Sequence, residues 1–181
     1  MTLKLDFMPV IHTNMNLVKD YKDMLTNANH ADVTIICNDG SVRAHKNVLT
    51  ARSEYFNRML SSTMKEGLTG VIEVKDMEMS VCQTILEYIY SGEVDEEKMN
   101  VEVLAEAEKM GLFNLKKECS SKLIKDLRKR NCVKMIEAGD LHKDDDLKNK
   151  AKEFIIENYE DLSNESKAEV YTQYLFFFII Y

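Results

Sequence analysis

The residues that could act as nucleophiles, general bases or phosphate ligands are scattered along this chain. Thr50 and Ser53 follow His45 closely, but no G-x-S-x-G elbow or catalytic Cys/His signature surrounds them. Residues 67–70 lack the G-K-[ST] ending of a phosphate-binding loop. His45 stands between a predicted strand and a predicted helix, where it is interpreted as a structural histidine bonded to the backbone. We therefore predict no catalytic residue, no enzymatic activity and no cofactor.

Metal binding and oxidative pairing are equally poorly supported by the sequence. The chain has four cysteines, Cys37, Cys82, Cys119 and Cys132. None belongs to a C-x-x-C pair or to a Cys/His cluster with zinc-ligand spacing. We expect reduced and mostly buried thiols, and a location in the cytoplasm, the nucleus or both. The consecutive acids at 144–146 are interpreted as solvated surface.

Charge and length set limits on the partners. The net charge of −7 disfavours nucleic-acid binding, and the basic run at 128–130 suits a solvated helix end. No signal peptide is visible, and the apolar residues at 174–181 are too few for a bilayer, which needs about 20. Neither a nucleic-acid nor a membrane partner is predicted.

Hydrophobic periodicity indicates an α+β domain, with a small sheet wrapped by helices and a helical pair appended. Strands are predicted at 33–37, 41–44 and 71–74, with a hairpin turn at 38–40 and a loop at 67–70. Helices are predicted at 16–25, 45–51, from Ser53, from Ser80 to Gly92, from Asn100 to Gly111, at 115–127, at 132–139 and from Asp144. Ser53 and Ser80 are the predicted caps of their helices. In the first helix, Leu17, Tyr21 and Met24 share one face. In the last, the predicted buried face is Leu147, Ala151, Phe154 and Ile155.

Several segments resemble the BTB/POZ family. Its opening pattern, D-V-x-[ILV] followed by F-x-A-H-K/R-x-x-L-A-x-x-S-x-[YF]-F, is similar to Asp32–Ile35 and to the stretch from Arg43 to Phe56. Val42 departs from it, since the family usually carries an aromatic residue there. The pieces at 85–92 and 104–119 also match the family's L-x-[YF]-[IL]-Y-T/S-G and L-x-A-A patterns, in the right order. The resemblance covers roughly residues 16–122.

The segment that follows resembles the extension of the speckle-type POZ proteins. Residues 140–155 are similar to the signature A-D-x-H-x-x-x-x-L-K-x-x-A-x-x-F-I, which in that family belongs to the three-box, a helical segment that widens the groove for a cullin. We therefore divide the chain into four parts. These are an N-terminal segment at 1–15, a remnant of a preceding domain; a BTB/POZ domain at 16–127; a three-box-like extension at 128–162; and an aromatic tail at 163–181, interpreted as exposed or loosely packed.

The resemblance implies a dimeric adaptor that docks on a cullin-3 ubiquitin ligase. The implied cullin-binding residues are Met64, Glu66, Met59 and Tyr90, with Met64-Lys65-Glu66 as the hydrophobic-x-Glu motif. The implied dimer interface contains Leu17, Tyr21, Met24, Asp32 and Lys46, of which Asp32 and Lys46 correspond to the family's charged pair. The partners would be a second copy or a related BTB protein, cullin-3, and a substrate that the sequence does not identify. Two alternatives remain: a BTB dimer in transcriptional repression, and a truncated, dominant-negative partner.

Overall fold

The computed structural model describes residues 13–61, 63 and 65–178. Within them, ten α-helices, three β-strands and two short 3-10 helices form two compact units, which divide after residue 94. The predicted N-terminal segment lies outside the described residues as far as residue 12. The first helix begins at Thr13, three residues before the predicted start.

The first unit is built around a three-stranded sheet. Its elements are α1 (Thr13–Asn27), β1 (Val33–Ile36), β2 (Ser41–Ala44), α2 (Lys46–Arg52), α3 (Glu54–Ser61), α4 (Lys65–Thr69), β3 (Val71–Glu73) and α5 (Met79–Ser91). The strand order is β2-β1-β3, with β1 antiparallel to β2 and parallel to β3. Asn38, Asp39 and Gly40 make the predicted hairpin turn, which the Cys37 N–H closes by donating to the Gly40 carbonyl at 2.8 Å.

Alternating side chains of the sheet enter the core of this unit. Val33 and Ile35 point inward from β1, and Ile72 points inward from β3. The largest fully buried side chains that surround them come from α2, α3 and α5; they are Leu49, Phe56, Leu60, Ile85, Leu86 and Ile89. Their burial supplies the main driving force for folding, at roughly 1.5–3 kcal/mol for each side chain.

The predicted loop at 67–70 is wrong, because most of it belongs to α4. This short helix ends at Gly70, whose N–H donates to the Glu66 carbonyl at 2.9 Å. Gly70 has a φ of 67°, and a Cβ on it would lie 2.6 Å from the Asp32 carbonyl oxygen. Only glycine fits this left-handed turn beside β1.

The predicted Ser80 cap of α5 is also wrong. The helix starts one residue earlier, at Met79, and Ser80 lies inside its first turn. The acceptor for the first helical N–H comes from a distant residue, since the Asp39 carboxylate binds the Met79 N–H at 2.7 Å. The predicted end of α5 is confirmed, because Gly92 adopts the left-handed conformation with a φ of 77°.

The second unit is helical in its described residues. Its elements are a 3-10 turn (Glu96–Lys98), α6 (Val101–Lys109), α7 (Phe113–Lys125), α8 (Cys132–Leu141), α9 (Asp145–Asn158), a second 3-10 turn (Tyr159–Asp161) and α10 (Asn164–Phe178). The predicted start of α6 at Asn100 is confirmed, and its side chain caps the helix by accepting the Val103 N–H at 2.8 Å. Leu104, Leu115, Leu147, Ala151 and Ile155 are fully or almost fully buried in this unit.

Helices α8 and α9 pack closely on each other. A Cβ on Gly139 would lie 2.7 Å from the Lys148 backbone nitrogen, so glycine permits the close approach. Asp144 is buried rather than exposed as predicted, because its side chain accepts the Leu147 N–H at 3.0 Å and caps α9. Phe154, predicted in the buried face, is only half-buried.

Two further features complete the second unit. Helix α10 contacts α8 and buries Val170, while Tyr171 is 59% exposed, so the prediction of an exposed or loosely packed tail stays a prediction. The Lys116 ammonium binds Glu108 at 2.6 Å and the last carbonyls after α8, those of His142 and Lys143, at 2.9 and 3.1 Å. A cation at a helix C-terminus offsets the negative end of the helix dipole.

Candidate protein-interaction site

Helix α1 carries large apolar side chains on its exposed face. One side of the helix packs on α5, while Leu17 is 55% exposed and Tyr21 is 37% exposed. Met24, one turn further along, is half-buried. The three residues lie at i, i+4 and i+7 and therefore follow one stripe, as the sequence indicated. This stripe, Leu17–Tyr21–Met24, is called the α1 face below.

A groove runs beside the α1 face. Leu17 and Tyr21 form one wall, α2 contributes Val48 and Ala51, and α5 contributes Ile89. Its volume is about 330 Å³. An open, largely apolar groove beside exposed apolar side chains is typical of a protein-interaction surface rather than of a small-molecule site.

A buried hydrogen-bond network positions this surface. The Tyr90 hydroxyl oxygen accepts the His45 backbone N–H at 2.8 Å and lies 2.8 Å from His45 Nδ1. His45 Nε2 lies 2.7 Å from the carbonyl oxygen of Asn29, just after α1. One tautomer satisfies all three contacts, with the Tyr90 O–H donating to Nδ1 and the Nε2–H donating to Asn29. The interpretation of His45 as a structural histidine is confirmed, and the network joins the end of α1 to α2 and α5.

Tyr90, predicted as a cullin contact, lies in the interior of the unit. It is 6% exposed, and burial raises the pKa of its hydroxyl. Its side chain lines the groove beside α1. The sequence indicated an aromatic residue near the end of α5, but it did not reveal that the Tyr90 hydroxyl is hydrogen-bonded to His45.

Asp32 and Lys46, predicted as a charged pair at the dimer interface, meet in a different way. The Asp32 carboxylate accepts the backbone N–H of Lys46 at 2.7 Å and thereby satisfies the first residue of α2. Asp32 also lines a shallow depression of about 650 Å³, together with Asp20 and Asp23 of α1. The charge on this depression is therefore largely negative.

The segment between α3 and β3 contains the predicted cullin motif. Met64 lies outside the described residues, Glu66 is half-buried in the first turn of α4, and Met59 is half-buried on α3. Leu68, which sequence reasoning missed, is 76% exposed on α4. In the sequence, Leu68 lies two residues after Glu66 and two before Gly70, and this position alone does not show that the side chain is exposed.

This segment also carries an exposed ion-pair cluster. The Glu73 carboxylate on β3 forms ion pairs with the ammonium groups of Lys65, at 3.3 Å, and Lys75, at 3.4 Å. These contacts lower the pKa of the Glu73 carboxyl. All three side chains are exposed, so the pairs contribute little to stability.

The potential metal ligands and nucleophiles of the described residues are characterised by their positions and surroundings. In the described part of the chain, no three His, Cys, Asp or Glu side chains converge as metal ligands would. All four cysteines are buried, and burial raises the pKa of the Cys119 thiol to about 12. Such a thiol is protonated at neutral pH and is a poor nucleophile.

No helix among the described residues is both long enough and apolar enough to cross a membrane.

The small sheet wrapped by helices, with exposed apolar surface on α1, defines a protein-interaction module. A family model for the BTB/POZ domain matches residues 21–127. The chain therefore belongs to the BTB/POZ family, and the α+β fold predicted from the sequence is confirmed. The family is one of interaction modules rather than enzymes, and its domains generally dimerise.

Three relatives illustrate the similarity. The mouse (Mus musculus) TD and POZ domain-containing protein 2 is 31% identical over 160 residues, covering 82% of this chain and 44% of the relative. A BTB/POZ domain-containing protein of Arabidopsis thaliana is 33% identical, covering 74% of this chain and 41% of the relative. Human (Homo sapiens) Kelch-like protein 2 is 32% identical, covering 72% of this chain and 22% of the relative. The chain thus spans less than half the length of these curated relatives.

Proposed function

We propose that this chain is a dimeric adaptor subunit that docks on cullin-3 and presents a substrate protein for ubiquitination. The observation that carries the proposal is the α1 face, where Leu17 and Tyr21 remain exposed beside an apolar groove. Exposed apolar stripes of this kind favour association with another protein over a monomeric state. The first partner that we propose is a second copy of the chain.

The energetics of the α1 face fit a symmetric dimer. Full burial of a leucine or tyrosine contributes roughly 1.5–3 kcal/mol, and Leu17 still has more than half of its surface to bury. In a two-fold dimer each contact occurs twice, so Leu17 and Tyr21 together contribute several kcal/mol toward the cost of association. The groove beside them offers space for the side chains of the partner.

Analytical ultracentrifugation tests the dimer directly. The wild type should sediment as a dimer at micromolar concentration, and Leu17→Asp should shift it to a folded monomer. Leu68→Asp is the matched control, because Leu68 is more exposed than Leu17 and lies on α4 rather than α1. A monomeric wild type, or a dimer unaffected by Leu17→Asp, would reject the α1 face as the interface.

The cullin contact is proposed for the segment that leads into α4. Its support is the resemblance of Met64-Lys65-Glu66 to the hydrophobic-x-Glu motif, together with Leu68 exposed nearby on α4. A methionine suits an irregular pocket on a partner helix because its side chain is flexible and polarisable. Met59 stays within the proposed surface. We propose no direct cullin contact for the Tyr90 hydroxyl, because it is hydrogen-bonded to His45.

A substitution at the motif separates docking from folding. Met64→Asp should leave the dimer intact and weaken cullin-3 binding at least about tenfold, or roughly 1.4 kcal/mol. If Met64 serves only to stabilise the fold, Met64→Ala should lower the melting temperature without changing the affinity of the folded protein. That outcome would remove Met64 from the contact.

We further propose that residues 16–127 act as the BTB domain, and that residues 128–162 act as a three-box-like extension of the speckle-type family. Supporting features are the resemblance at 140–155, the close α8–α9 packing at Gly139 and the buried Asp144 cap. A location in the cytoplasm or nucleus is part of the same proposal. The substrate remains unassigned.

A further inference from the structure

Basic side chains are concentrated at the end of α7 and in the corner that leads to α8. Residues 122–130 contain five Lys or Arg and one Asp, although the whole chain has a net charge of −7. These residues cover only the last turn of α7 and the corner itself, so their charges are necessarily close together. The name basic corner is used below for Lys122, Lys125, Arg128, Lys129 and Arg130.

Arg128 and Asn131 hold the backbone of the corner in place. The Arg128 guanidinium donates to the backbone carbonyls of Lys125 at 3.1 Å and Leu127 at 2.6 Å, at the C-terminal end of α7. The Asn131 side chain accepts the Arg128 backbone N–H at 2.7 Å and donates to the Asp126 carbonyl at 3.0 Å. The interpretation of the basic run as a helix end therefore applies to Arg128. A backbone held by these bonds lowers the entropic cost of binding a ligand.

Two cations of the basic corner are neutralised within the chain. Lys122 binds the Asp126 carboxylate, and Lys129 binds the Asp161 carboxylate at 2.8 Å. These hydrogen-bonded pairs lower the pKa of both carboxyls, and further cations of the corner lower the pKa of Asp126 through their charge. Both acids therefore experience a positive local potential.

The other three cations keep most of their charge available. The Arg128 guanidinium is bonded to carbonyl oxygens, which carry no net charge. Lys125 lies 3.8 Å from the Glu96 carboxylate, but the two side chains are 67% and 64% exposed, so this pair is weak. Arg130 is exposed and has no carboxylate partner within the described part of the chain. The basic corner therefore carries more positive charge than its neighbouring carboxylates neutralise.

We propose that the basic corner binds an acidic segment, rich in Asp and Glu, of a substrate protein. That the ligand belongs to a substrate rests on the proposed function. Carboxylates fit this surface because Arg binds them in bidentate pairs and Lys binds them as a point charge. A short ligand is favoured over a long polyanion, because charges are screened within about 10 Å at 0.1 M salt. A peptide confined to the corner avoids the acids elsewhere on the chain, whereas a long nucleic acid would extend over them.

Fluorescence anisotropy of the full-length chain tests the proposal in the absence of cullin-3. The probe is fluorescein-labelled hexaglutamate, which spans about 20 Å when extended and therefore covers the corner. Labelled hexaglutamine is the uncharged control. We expect hexaglutamate to bind with a Kd on the order of 100 μM at about 0.1 M NaCl, and hexaglutamine not to bind. At about 1 M NaCl, where the screening length falls to about 3 Å, the affinity should fall at least about tenfold.

Alanine variants locate the binding. Lys125→Ala combined with Arg130→Ala should weaken hexaglutamate binding at least about tenfold, or about threefold for each exposed ion pair that is lost. The matched control combines Lys150→Ala with Arg58→Ala, which removes the same charge from exposed positions elsewhere and should leave the affinity unchanged. Far-UV circular dichroism checks the fold of each variant. If the double variant does not fold, the two single variants decide by the threefold criterion.

Three results would overturn the proposal. The first is hexaglutamate that does not bind, or that binds no better than hexaglutamine. The second is an affinity that the Lys125 and Arg130 variants leave unchanged. The third is tighter binding of single-stranded hexathymidylate than of hexaglutamate, which would assign the corner to nucleic acid. Because the titration contains no cullin-3, its outcome and the outcome of the cullin-docking test are independent.

Discussion

Removal of one hydroxyl group, in Tyr90→Phe, tests how the α1 face is positioned. The substitution keeps the ring and its volume, so packing is preserved, but it removes the oxygen that serves His45 twice at 2.8 Å. The His45 backbone N–H then lies buried without an acceptor, because His45 is itself in the interior. An unsatisfied buried donor costs about 1–3 kcal/mol. We therefore expect Tyr90→Phe to lower the free energy of unfolding by that amount.

Urea denaturation followed by far-UV circular dichroism measures the change, with the slope of the transition unchanged. In a thermal scan, each kcal/mol should lower the melting temperature by about 2–4 °C for a chain of this size. Tyr171→Phe is the control, because its hydroxyl lies on an exposed residue and should contribute less than about 0.5 kcal/mol. Equal unfolding midpoints for Tyr90→Phe and wild type would refute the network as a positioning device.

Three further predictions concern backbone strain, capping and the extension. Gly70→Ala should destabilise the protein more strongly than Gly111→Ala, measured by chemical denaturation. Both glycines have a positive φ, but only at Gly70 would a Cβ lie 2.6 Å from a carbonyl oxygen. Asp144→Ala should cost about 1 kcal/mol through the lost cap of α9, whereas Asp145→Ala, exposed in the same turn, should change stability far less in the same assay. Deletion of residues 131–181 should leave a dimer by sedimentation and weaken cullin-3 binding by calorimetry; undiminished affinity would exclude a role for the extension.

Much of the fold is predictable because its signals are local. The Asn38-Asp39-Gly40 turn, the β-branched run of β1, and the positions of Gly92 and Asn100 each report on neighbouring backbone conformation. Ser80 failed as a cap because Asp39, 41 positions earlier, provides the acceptor at the start of α5. A contact across that separation leaves no local pattern.

The site was predicted less completely, for related reasons. The α1 stripe follows from helical periodicity, and the structure shows that Leu17 and Tyr21 are exposed. Periodicity could not reveal that Tyr90 is buried against His45, or that Asp32 serves the backbone of Lys46 instead of its ammonium. These contacts join residues that are 14 to 45 positions apart, and they arise only when the sheet and helices pack.

Isothermal titration of the full-length chain against the N-terminal domain of cullin-3 is the most direct test of the proposed function. The account predicts saturable binding with one cullin for each chain of the dimer, weakened at least about tenfold by Met64→Asp while sedimentation shows the dimer intact. An absence of heat change with both proteins at tens of micromolar would contradict cullin docking and leave a BTB dimer with another partner.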